Sequence, residues 1–343
     1  MKRVLLSLCL VGAMLVVFAQ KPYKVVFYNL ENLFDTINDP NKNDEEYLPE
    51  GARKWTTYRY NQKLANMSRV LFDIAAEDKN FPAVIGVSEI ENRLVLEDLL
   101  ATPKLAKASY SIVHYDSPDR RGVDCAFFYR PDKFQLDGSE AHRISMPNRP
   151  EFFTRDLVAM WGKIEGEPFY FIVSHWPSRL GGKERSQHSR DFVAAKCKHI
   201  CDSVRTANPA TKVVIMGDFN DDATDKSVVE VLGAKGNIKK LEKNDMFNPF
   251  NPMLKAGYGT LAYRDVWNLF DNIVVSENLA TGSTGSLKIQ KKQGAKFYGN
   301  IFISPYMVQK EGQYKNYPLR SFVGSNFQNG YSDHFPVYIY IAK

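Results

Sequence analysis

The stretch VVIMGDFNDDATDKS, residues 213–227, joins four consecutive apolar residues to a sudden run of carboxylates and amides. Residues 213–216 are apolar without alternation, which predicts a strand buried on both faces. Gly217 would let the backbone turn closely, and Asp218 and Asn220 follow at the carboxyl end of that strand. Open sheets bind their ligands at such ends. The stretch predicts either a polar turn after a core strand or one corner of a ligand site, and residues elsewhere in the chain decide between them.

Length and composition indicate an ordinary globular protein. The chain has 343 residues, of which 44% are hydrophobic and 24% charged, with no sign of global disorder. No internal repeat, low-complexity tract or long Pro/Gly-rich linker divides it, so we predict one domain over residues 20–343, and a monomer. The formal net charge of +6 suits an anionic substrate without requiring one.

Residues 1–19 predict a secretory signal peptide. Lys2 and Arg3 precede an uncharged apolar run that ends in VFA, a plausible cleavage pattern. The run is short for a membrane span, and Cys9 lies inside it rather than at its end, which argues against a lipoprotein. We expect a mature protein that begins near Gln20, is periplasmic or secreted, and has no membrane span.

The remaining cysteines are expected to be buried free thiols, because Cys125, Cys197 and Cys201 make an odd number. Cys197 and Cys201 are four residues apart on a predicted helix, where Cβ atoms lie about 5–6 Å apart. A disulfide needs roughly 3.5–4.5 Å between them. A bridge would therefore strain the helix.

Strand-like runs recur along the whole chain. They are YKVVFY from Tyr23, AVIGVS from Ala83, VDCAFFY from Val123, LVAMWGKI from Leu157, FYFIVS from Phe169, KVVIMG from Lys212, NIVVS from Asn272 and PVYIYIA from Pro336. Apolar residues at helical spacing predict helices over 59–76 and 186–205. Strands outnumber helices and several follow one another as meanders. This pattern favours a layered α/β sandwich over a doubly wound sheet.

Two segments are predicted to be loops. Residues 36–55 are polar, acidic and rich in turn formers. Residues 288–331 carry scattered aromatic residues, among them Phe297, Tyr298, Tyr306, Tyr314, Tyr317, Phe322 and Phe327. The second segment could be a surface excursion or a lid that faces the substrate.

Polar residues stand where many of these strands begin or end. They are Asn29, Glu89, His175, Asp218 with Asn220, Asp271, and Asp333 with His334. Each alone has an ordinary explanation, as a turn residue, a charge at a helix N-terminus or a histidine with a satisfied hydrogen bond. Turns alone do not explain all of them together, so we predict that they form one site.

The chemistry of this set is coherent. The carboxylates of Glu89, Asp218 and Asp333 are hard oxygen ligands that suit Mg²⁺ or Mn²⁺, and the lack of clustered Cys and His argues against structural zinc. A histidine can move a proton near neutral pH or stabilise an anionic oxygen. Three arginines could clamp a phosphate through their planar donors. They are Arg121, Arg179 and Arg190. Together these groups describe hydrolysis of a phosphate ester.

These motifs resemble the endonuclease/exonuclease/phosphatase superfamily, which includes proteins similar to pancreatic deoxyribonuclease and the abasic-site endonucleases. GDFND at 217–221 and SDH at 332–334 are the most specific parts of the resemblance. SPDRRGVDCAFFYR from Ser117 and HWPSRLGG from His175 resemble a bacterial secreted branch. The likeness runs from about Tyr23 to Ile341. It implies a four-layered α/β sandwich of two packed β-sheets flanked by helices.

The resemblance also implies a metal site for Mg²⁺ or Mn²⁺. Asn29 and Glu89 would organise the metal and the phosphate, and Asp333 would lie close to the metal. One departure concerns Asn272, which follows Asp271 where an aromatic or basic residue is more usual. This departure leaves the metal chemistry intact and weakens inferences about fine substrate choice.

The implied catalytic residues are five. Asp218 and Asn220 would position the nucleophile and the phosphate, Asp271 would orient His334, and His175 would contact the scissile phosphate. The sequence leaves open whether Asp218 or His334 removes the proton of the attacking water.

Three functions remain open at this point. The first is a secreted, metal-dependent nuclease that cleaves DNA, or RNA, by in-line attack of water on phosphorus. The second is a phosphodiesterase or phosphatase that acts on phospholipid headgroups or small phosphate esters with the same centre. The third is a binding protein that has lost catalysis, and it is disfavoured because no position of the motif set is missing.

Overall fold

The computed structural model describes residues 22–343, so the predicted signal peptide lies outside the described residues. The strands are β1 (Tyr23–Leu33), β2 (Val84–Ile90), β3 (Ser111–His114), β4 (Asp124–Tyr129), β5 (Gln135–His142), β6 (Leu157–Ile164), β7 (Glu167–His175), β8 (Lys212–Asp218), β9 (Ala234–Lys235), β10 (Met246–Phe247), β11 (Leu261–Tyr263), β12 (Val266–Asn268), β13 (Asp271–Ser276), β14 (Lys288–Gln290), β15 (Asn300–Ile301), β16 (Phe322–Val323), β17 (Asn326–Phe327) and β18 (Val337–Ala342). The helices are α1 (Thr57–Ala76), α2 (Arg93–Ala101), α3 (Lys183–Ala207), α4 (Asn251–Lys255) and α5 (Glu277–Thr281). Single 3-10 turns occur at Glu45–Tyr47, Ala106–Ala108, Ile238–Lys240 and Pro305–Met307, and a π turn at Ser227–Val231.

Two seven-stranded sheets form the frame. The first has the order β14-β18-β1-β2-β4-β3, with β15 also paired to β18, and the second has the order β5-β6-β7-β8-β13-β10-β9. The pairs β1/β2, β7/β8 and β9/β10 are parallel, and the other pairs within these sheets are antiparallel. Each sheet thus contains parallel neighbours near its centre, whose carboxyl ends lie at the same edge.

The alternation of side chains in the central strands creates three cores. In β1, Val25 and Phe27 pack between the two sheets, whereas Val26 and Tyr28 pack against α1 on the outer face. In the second sheet, outward residues of β7 and β8 pack against α3. The layers are therefore helix, sheet, sheet and helix, which confirms the predicted four-layered α/β sandwich.

The predicted elements agree with the observed ones in type and place. All eight predicted strands are present, and the helices predicted over 59–76 and 186–205 are α1 and α3. Cys125, Cys197 and Cys201 are buried and free, as predicted. No helix in residues 22–343 is long and apolar enough to cross a bilayer.

The two predicted loops differ in how much structure they hold. Residues 36–55 consist of turns and one 3-10 turn, and Trp55 ties the segment down by donating to the carbonyl of Phe34 at 3.0 Å. Residues 288–331 are more than a loop, because β14 and β15 add to β18. Tyr314 is 41% exposed, whereas Phe322 is buried in the same core as the apolar residues of α1. The segment is largely anchored to the core.

Gly217 serves a different purpose from the predicted turn. It lies inside β8, level with Ser174 of β7 and Asn272 of β13. A Cβ atom at Gly217 would lie 2.0 Å from the carbonyl oxygen of Ser174. Only glycine therefore permits the close pairing that aligns the ends of these three strands.

Candidate active site

Strand register brings three predicted residues side by side. Asp218 at the end of β8 pairs with His175 of β7 in a parallel ladder and with Asp271 of β13 in an antiparallel one. All three are buried. Because paired residues on neighbouring strands lie about 5 Å apart, the pairing alone places a histidine and two carboxylates in one row at the edge of the second sheet.

The first sheet contributes an amide and a carboxylate to the same centre. Asn29 of β1 donates from Nδ2 to Glu89 Oε1 at 3.2 Å and to Asp218 Oδ2 at 3.1 Å. Its Oδ1 accepts the N–H of Glu31 at 2.9 Å. Asn29 thus links the two sheets and orients two carboxylates. Its N–H group faces the centre and holds Glu89 and Asp218 in place.

Glu89 reaches the site because β2 is irregular there. The register between β2 and β4 shifts between Ser88 and Ile90, and Glu89 has a φ of 58°. A non-glycine residue in the left-handed region is strained, and such strain concentrates at functional sites. The bulge directs a carboxylate into the centre from within a core strand.

His175 is held in the neutral form. Its Nε2 lies 3.6 Å from Asp218 Oδ2 and 3.9 Å from Glu89 Oε1. Burial, reinforced by the positive charges of Arg155 and Arg121, lowers the pKa of His175 well below its usual value. Its Nδ1 is buried without a hydrogen-bond partner among the described residues.

His334 is held as a cation. Its Nδ1 lies 2.7 Å from Asp271 Oδ2, and the hydroxyl of Thr260 donates to the same oxygen. Burial by itself would lower the pKa of His334, but the charges of Asp271 and Asp218 and the hydrogen bond to Asp271 raise it well above its usual value. The free Nε2 faces Asp218 Oδ2 at 3.8 Å.

Asp218 is the shared neighbour of both histidines. Burial, with the negative charges of Asp271 and Glu89, raises the pKa of Asp218 to about 7 against the opposing charge of His334. Its Oδ1 accepts the N–H of Asn220 at 2.9 Å. Asn220 has a φ of 49° and donates its amide to the carbonyl of Trp176 at 2.9 Å. The GDFN turn therefore fixes the position of the Asp218 carboxylate, whose pKa lies near neutral pH.

The donor set fits a divalent cation. Oxygen and nitrogen atoms of Glu89, His175 and Asp218 lie within 4.8 Å of one another, and so do those of Asp218, Asp271 and His334. The pKa of Asp218 is raised first by burial and then by the charges of Asp271 and Glu89, and a cation bound at Glu89 would offset one of these charges. Glu89 would hold the metal through carboxylate oxygens of the kind that Mg²⁺ and Mn²⁺ prefer, and Asp218 lies beside it.

Asp333 lies at the rim rather than in this cluster. Its Oδ1 is 4.0 Å from His334 Nε2, and its Oδ2 pairs with Arg320 at 2.7 Å. Arg320 also contacts the buried Glu31, which in turn pairs with Lys63 at 3.7 Å. This chain of charges supports the loop before β18.

The three predicted arginines have different roles. Arg121 is 52% exposed in its side chain and close enough to lower the pKa of His175, so it remains a candidate phosphate contact. Arg179 donates to the carbonyl of Asn220 at 2.8 Å and to carboxylates of the same turn. Arg190 is fully buried, with Nε 2.7 Å from Asp221 Oδ1. It braces α3 against the turn and is a structural residue, not the predicted phosphate contact, because its guanidinium has no access to a ligand.

Three supporting residues were missed by sequence reasoning. Arg155 donates to the carbonyl oxygens of His175 and Trp176 at 3.2 and 2.7 Å. Its place just before the apolar run from Leu157 was a usable signal, as was Lys63 within the apolar stripe of α1. Thr260 had no signal in the sequence. Asn272, the noted departure, is buried and accepts from Asn248 at 2.9 Å, so it packs behind the site.

A stacked pair of sheets with carboxylates and histidines at one edge defines a phosphoesterase architecture. The chain belongs to the Endonuclease/Exonuclease/phosphatase family, whose profile matches residues 24–343; members of this family are phosphoesterase hydrolases that depend on divalent metals. A comparison with curated protein sequences gives no significant match.

Solved structures share the fold at low sequence identity. TDP2 of D. rerio complexed with single-strand DNA product is 15% identical, with a TM-score of 0.55 over 94% of this chain and 100% of that chain. A mannosyl-6-phosphatase of Bacteroides thetaiotaomicron is 18% identical, with a TM-score of 0.53 over 94% and 100%. The human Nocturnin catalytic domain with bound sulfate is 14% identical, with a TM-score of 0.51 over 94% of each chain. At these identities the likeness concerns the fold.

Proposed function

We propose that this protein is an exported, divalent-metal-dependent phosphodiesterase that hydrolyses nucleic acid, DNA in the first place and RNA in the second. The observation that carries the proposal is the position of Asp218 between a neutral His175 and a cationic His334. A base with a pKa near neutral pH, next to a fixed cation, suits the attack of water on the phosphorus of an anionic phosphodiester.

The roles follow from the protonation states. Asp218, with a pKa of about 7, accepts the proton of the attacking water. His334, kept charged by Asp271, stabilises the negative charge that grows on the phosphate oxygens. His175 offers a neutral imidazole to the phosphate, and Asn29 and Asn220 hold the carboxylates in place. A divalent cation, when bound, polarises the phosphate.

An extended substrate is favoured by the surface beside Asp333. A cavity of about 390 Å³ adjoins it through Arg320. Tyr263 and Tyr314 line this aromatic cavity and are 64% and 41% exposed. Exposed aromatic rings beside a cation are typical of surfaces on which nucleobases stack.

The same cavity supports a second candidate, a phosphodiesterase or phosphatase for phospholipid headgroups or small phosphate esters. Gln309, Gln313 and Arg264 also line it, and they could hydrogen-bond a hydroxylated ring such as a sugar or inositol. An aromatic face with amide donors suits such rings as well as bases.

One experiment compares the substrates directly. Protein beginning at Gln20 is incubated with Mg²⁺ or Mn²⁺ and plasmid DNA, an RNA oligonucleotide, sphingomyelin vesicles or inositol phosphates. Cleavage of DNA or RNA at rates well above those for the other substrates supports the proposal. Hydrolysis confined to sphingomyelin or inositol phosphates establishes the second candidate, and no hydrolysis of any substrate supports a binding protein.

A further inference from the structure

A second cavity adjoins the site from the side of His175. Its volume is about 700 Å³, and we call it the arginine cavity. Its lining includes Arg149, Arg155, Arg185, His188, Phe153 and Leu180. The residues that follow His175 and Trp176 along the chain, Pro177 and Ser178, also line it. The cavity therefore begins where the catalytic strand β7 ends.

The residues that line this cavity carry a net positive charge. No carboxylate is among the residues that line it, although three arginines are. Arg149 is exposed and donates to His188 Nε2 at 3.0 Å and Ser189 Oγ at 3.2 Å, and its guanidinium lies over the ring of Phe152. These contacts orient the guanidinium without neutralising it.

Arg185 is likewise exposed, and within residues 22–343 it forms no ion pair. Several other exposed arginines have carboxylate partners, for example Arg93 with Glu97 at 2.7 Å and Arg143 with Asp156 at 3.1 Å. Two arginines that face one cavity without a carboxylate partner produce a local positive potential. Such a potential attracts an anion, and planar guanidinium donors suit a phosphate in particular.

Hydrogen bonds connect the lining of the cavity to the catalytic centre. Arg155 lines the cavity and donates to the backbone carbonyls of His175 and Trp176. Its Nη1 pairs with Asp119 Oδ2 at 3.1 Å, so its position is fixed and its charge is partly offset. Arg149 and Arg185 thus remain as the cations available to a ligand.

We infer that the arginine cavity binds a phosphate of the substrate strand that neighbours the scissile phosphate, with Arg149 and Arg185 as its contacts. Phe153, 46% exposed, and Leu180, 87% exposed, supply apolar surface for the attached sugar or base. The inference rests on the proposed phosphodiesterase function and deepens it: the substrate carries at least two phosphates in a chain, as a nucleic acid does.

The test compares two substrates in one variant. Single-stranded DNA and RNA oligonucleotides carry neighbouring phosphates, whereas bis(p-nitrophenyl) phosphate has a single diester. In the variant Arg149→Gln/Arg185→Gln, we expect the ratio of kcat/KM for the oligonucleotides to that for the small diester to fall about tenfold or more. The control is Lys107→Gln/Lys133→Gln. These two lysines lie before β3 and after β4, at the edge of the first sheet away from the active site, so their loss should leave the ratio unchanged.

Binding gives a readout that does not depend on cleavage. With chelator present, the logarithm of oligonucleotide affinity is measured against the logarithm of salt concentration. Each lost phosphate contact on a single strand should reduce the slope by about 0.7, so the double variant should lose up to about 1.4.

The outcomes separate this inference from the proposed function. If the wild type cleaves oligonucleotides and the double variant keeps both the substrate ratio and the salt slope, the inference is overturned and the proposed function stands. If the wild type neither cleaves nor binds oligonucleotides, the proposed function fails and the inference fails with it. An unchanged circular dichroism spectrum and Tm would show that the variant is folded, as expected for two exposed side chains.

Discussion

Asp271 Oδ2 lies 2.7 Å from His334 Nδ1, and this contact joins the two sheets at the active site. Asp271 begins β13 in the second sheet, whereas His334 precedes β18 in the first. Thr260 donates to the same carboxylate oxygen, so the acceptor is fixed on two sides. The pair fixes both the orientation and the charge of the imidazole that faces Asp218.

The first prediction concerns this pair and His175. His334→Ala and His175→Ala should each lower kcat by about 10²–10⁴, the usual cost of removing a positioned acid or base. Asp271→Asn should mimic His334→Ala, because it removes the charge that holds the imidazole as a cation. The double variant Asp271→Asn/His334→Ala should lose little more than either single variant, since the two residues act as a unit.

Thermal stability distinguishes a catalytic role of His175 and His334 from a purely structural role. If the two histidines were ordinary buried residues, their loss would lower Tm and leave turnover per folded molecule near normal. Normal turnover in His334→Ala would defeat the assignment. His199 on α3 offers a control histidine, and His199→Ala should change neither quantity.

A second prediction concerns the metal. Excess chelator should abolish hydrolysis and Mg²⁺ or Mn²⁺ should restore it. A bound ion should also raise Tm, because saturation at about 100 times Kd stabilises a folded protein by about 2.7 kcal/mol. Glu89→Gln should lose the metal-dependent rise in Tm, whereas Glu97→Gln, an exposed glutamate on α2, should keep it. Full activity in excess chelator would contradict the prediction.

A third prediction concerns the buried ion pair of Lys63 and Glu31, whose charged atoms lie 3.7 Å apart. Lys63→Met should cost about 3–5 kcal/mol in urea unfolding, because it leaves the buried Glu31 carboxylate with only the half-exposed Arg320 as an ion-pair partner. Lys63→Met/Glu31→Gln should recover a large part of that loss. Arg93→Gln breaks an exposed pair and should cost less than about 1 kcal/mol. Equal costs for Lys63→Met and Arg93→Gln would refute the argument.

A fourth prediction concerns pH. Burial, with the charges of Asp35, Asp44 and Asp39, raises the pKa of Glu91 from 4.5 to about 8, against the hydrogen bond from the Asp35 N–H. Between these values the folded protein binds more protons than the unfolded chain, so the contribution of Glu91 to stability is greatest below pH 4.5 and is lost as pH rises toward 8. Denaturant unfolding from pH 5 to 8 should show a decline that is smaller in Glu91→Gln by about 3 kcal/mol. If the free energy of unfolding fell equally with pH in the wild type and in Glu91→Gln, the prediction would be wrong.

A fifth prediction concerns export. Lys2, Arg3 and the apolar run that follows predict cleavage near Gln20. N-terminal sequencing of protein recovered from the periplasm or the medium should begin close to that residue. An intact Met1 on the recovered protein would count against a cleaved signal.

Local pattern was enough to predict the architecture and most of the site. Apolar runs and helical spacing depend on neighbouring residues, so the eight strands, α1 and α3 could be predicted directly. His175, Asp218 and Asp271 were found because each stands at a strand end, and strand ends converge by the geometry of a sheet. The superfamily resemblance then implied two sheets and a shared centre.

The sequence by itself determined which residues carry the chemistry, and the tertiary structure decided how they use it. A guanidinium can bind a phosphate or a carboxylate equally well, so only packing shows that Arg190 is taken by Asp221 while Arg149 and Arg185 face an open cavity. A side-chain amide can present its oxygen or its nitrogen. In the folded protein the N–H of Glu31 holds the oxygen of Asn29, so its nitrogen faces the carboxylates. Opposite protonation states of His175 and His334 likewise come from burial and from charges that lie far apart along the chain. Electrostatic energy depends on distance and solvent exposure, and both are set only when the two sheets pack together.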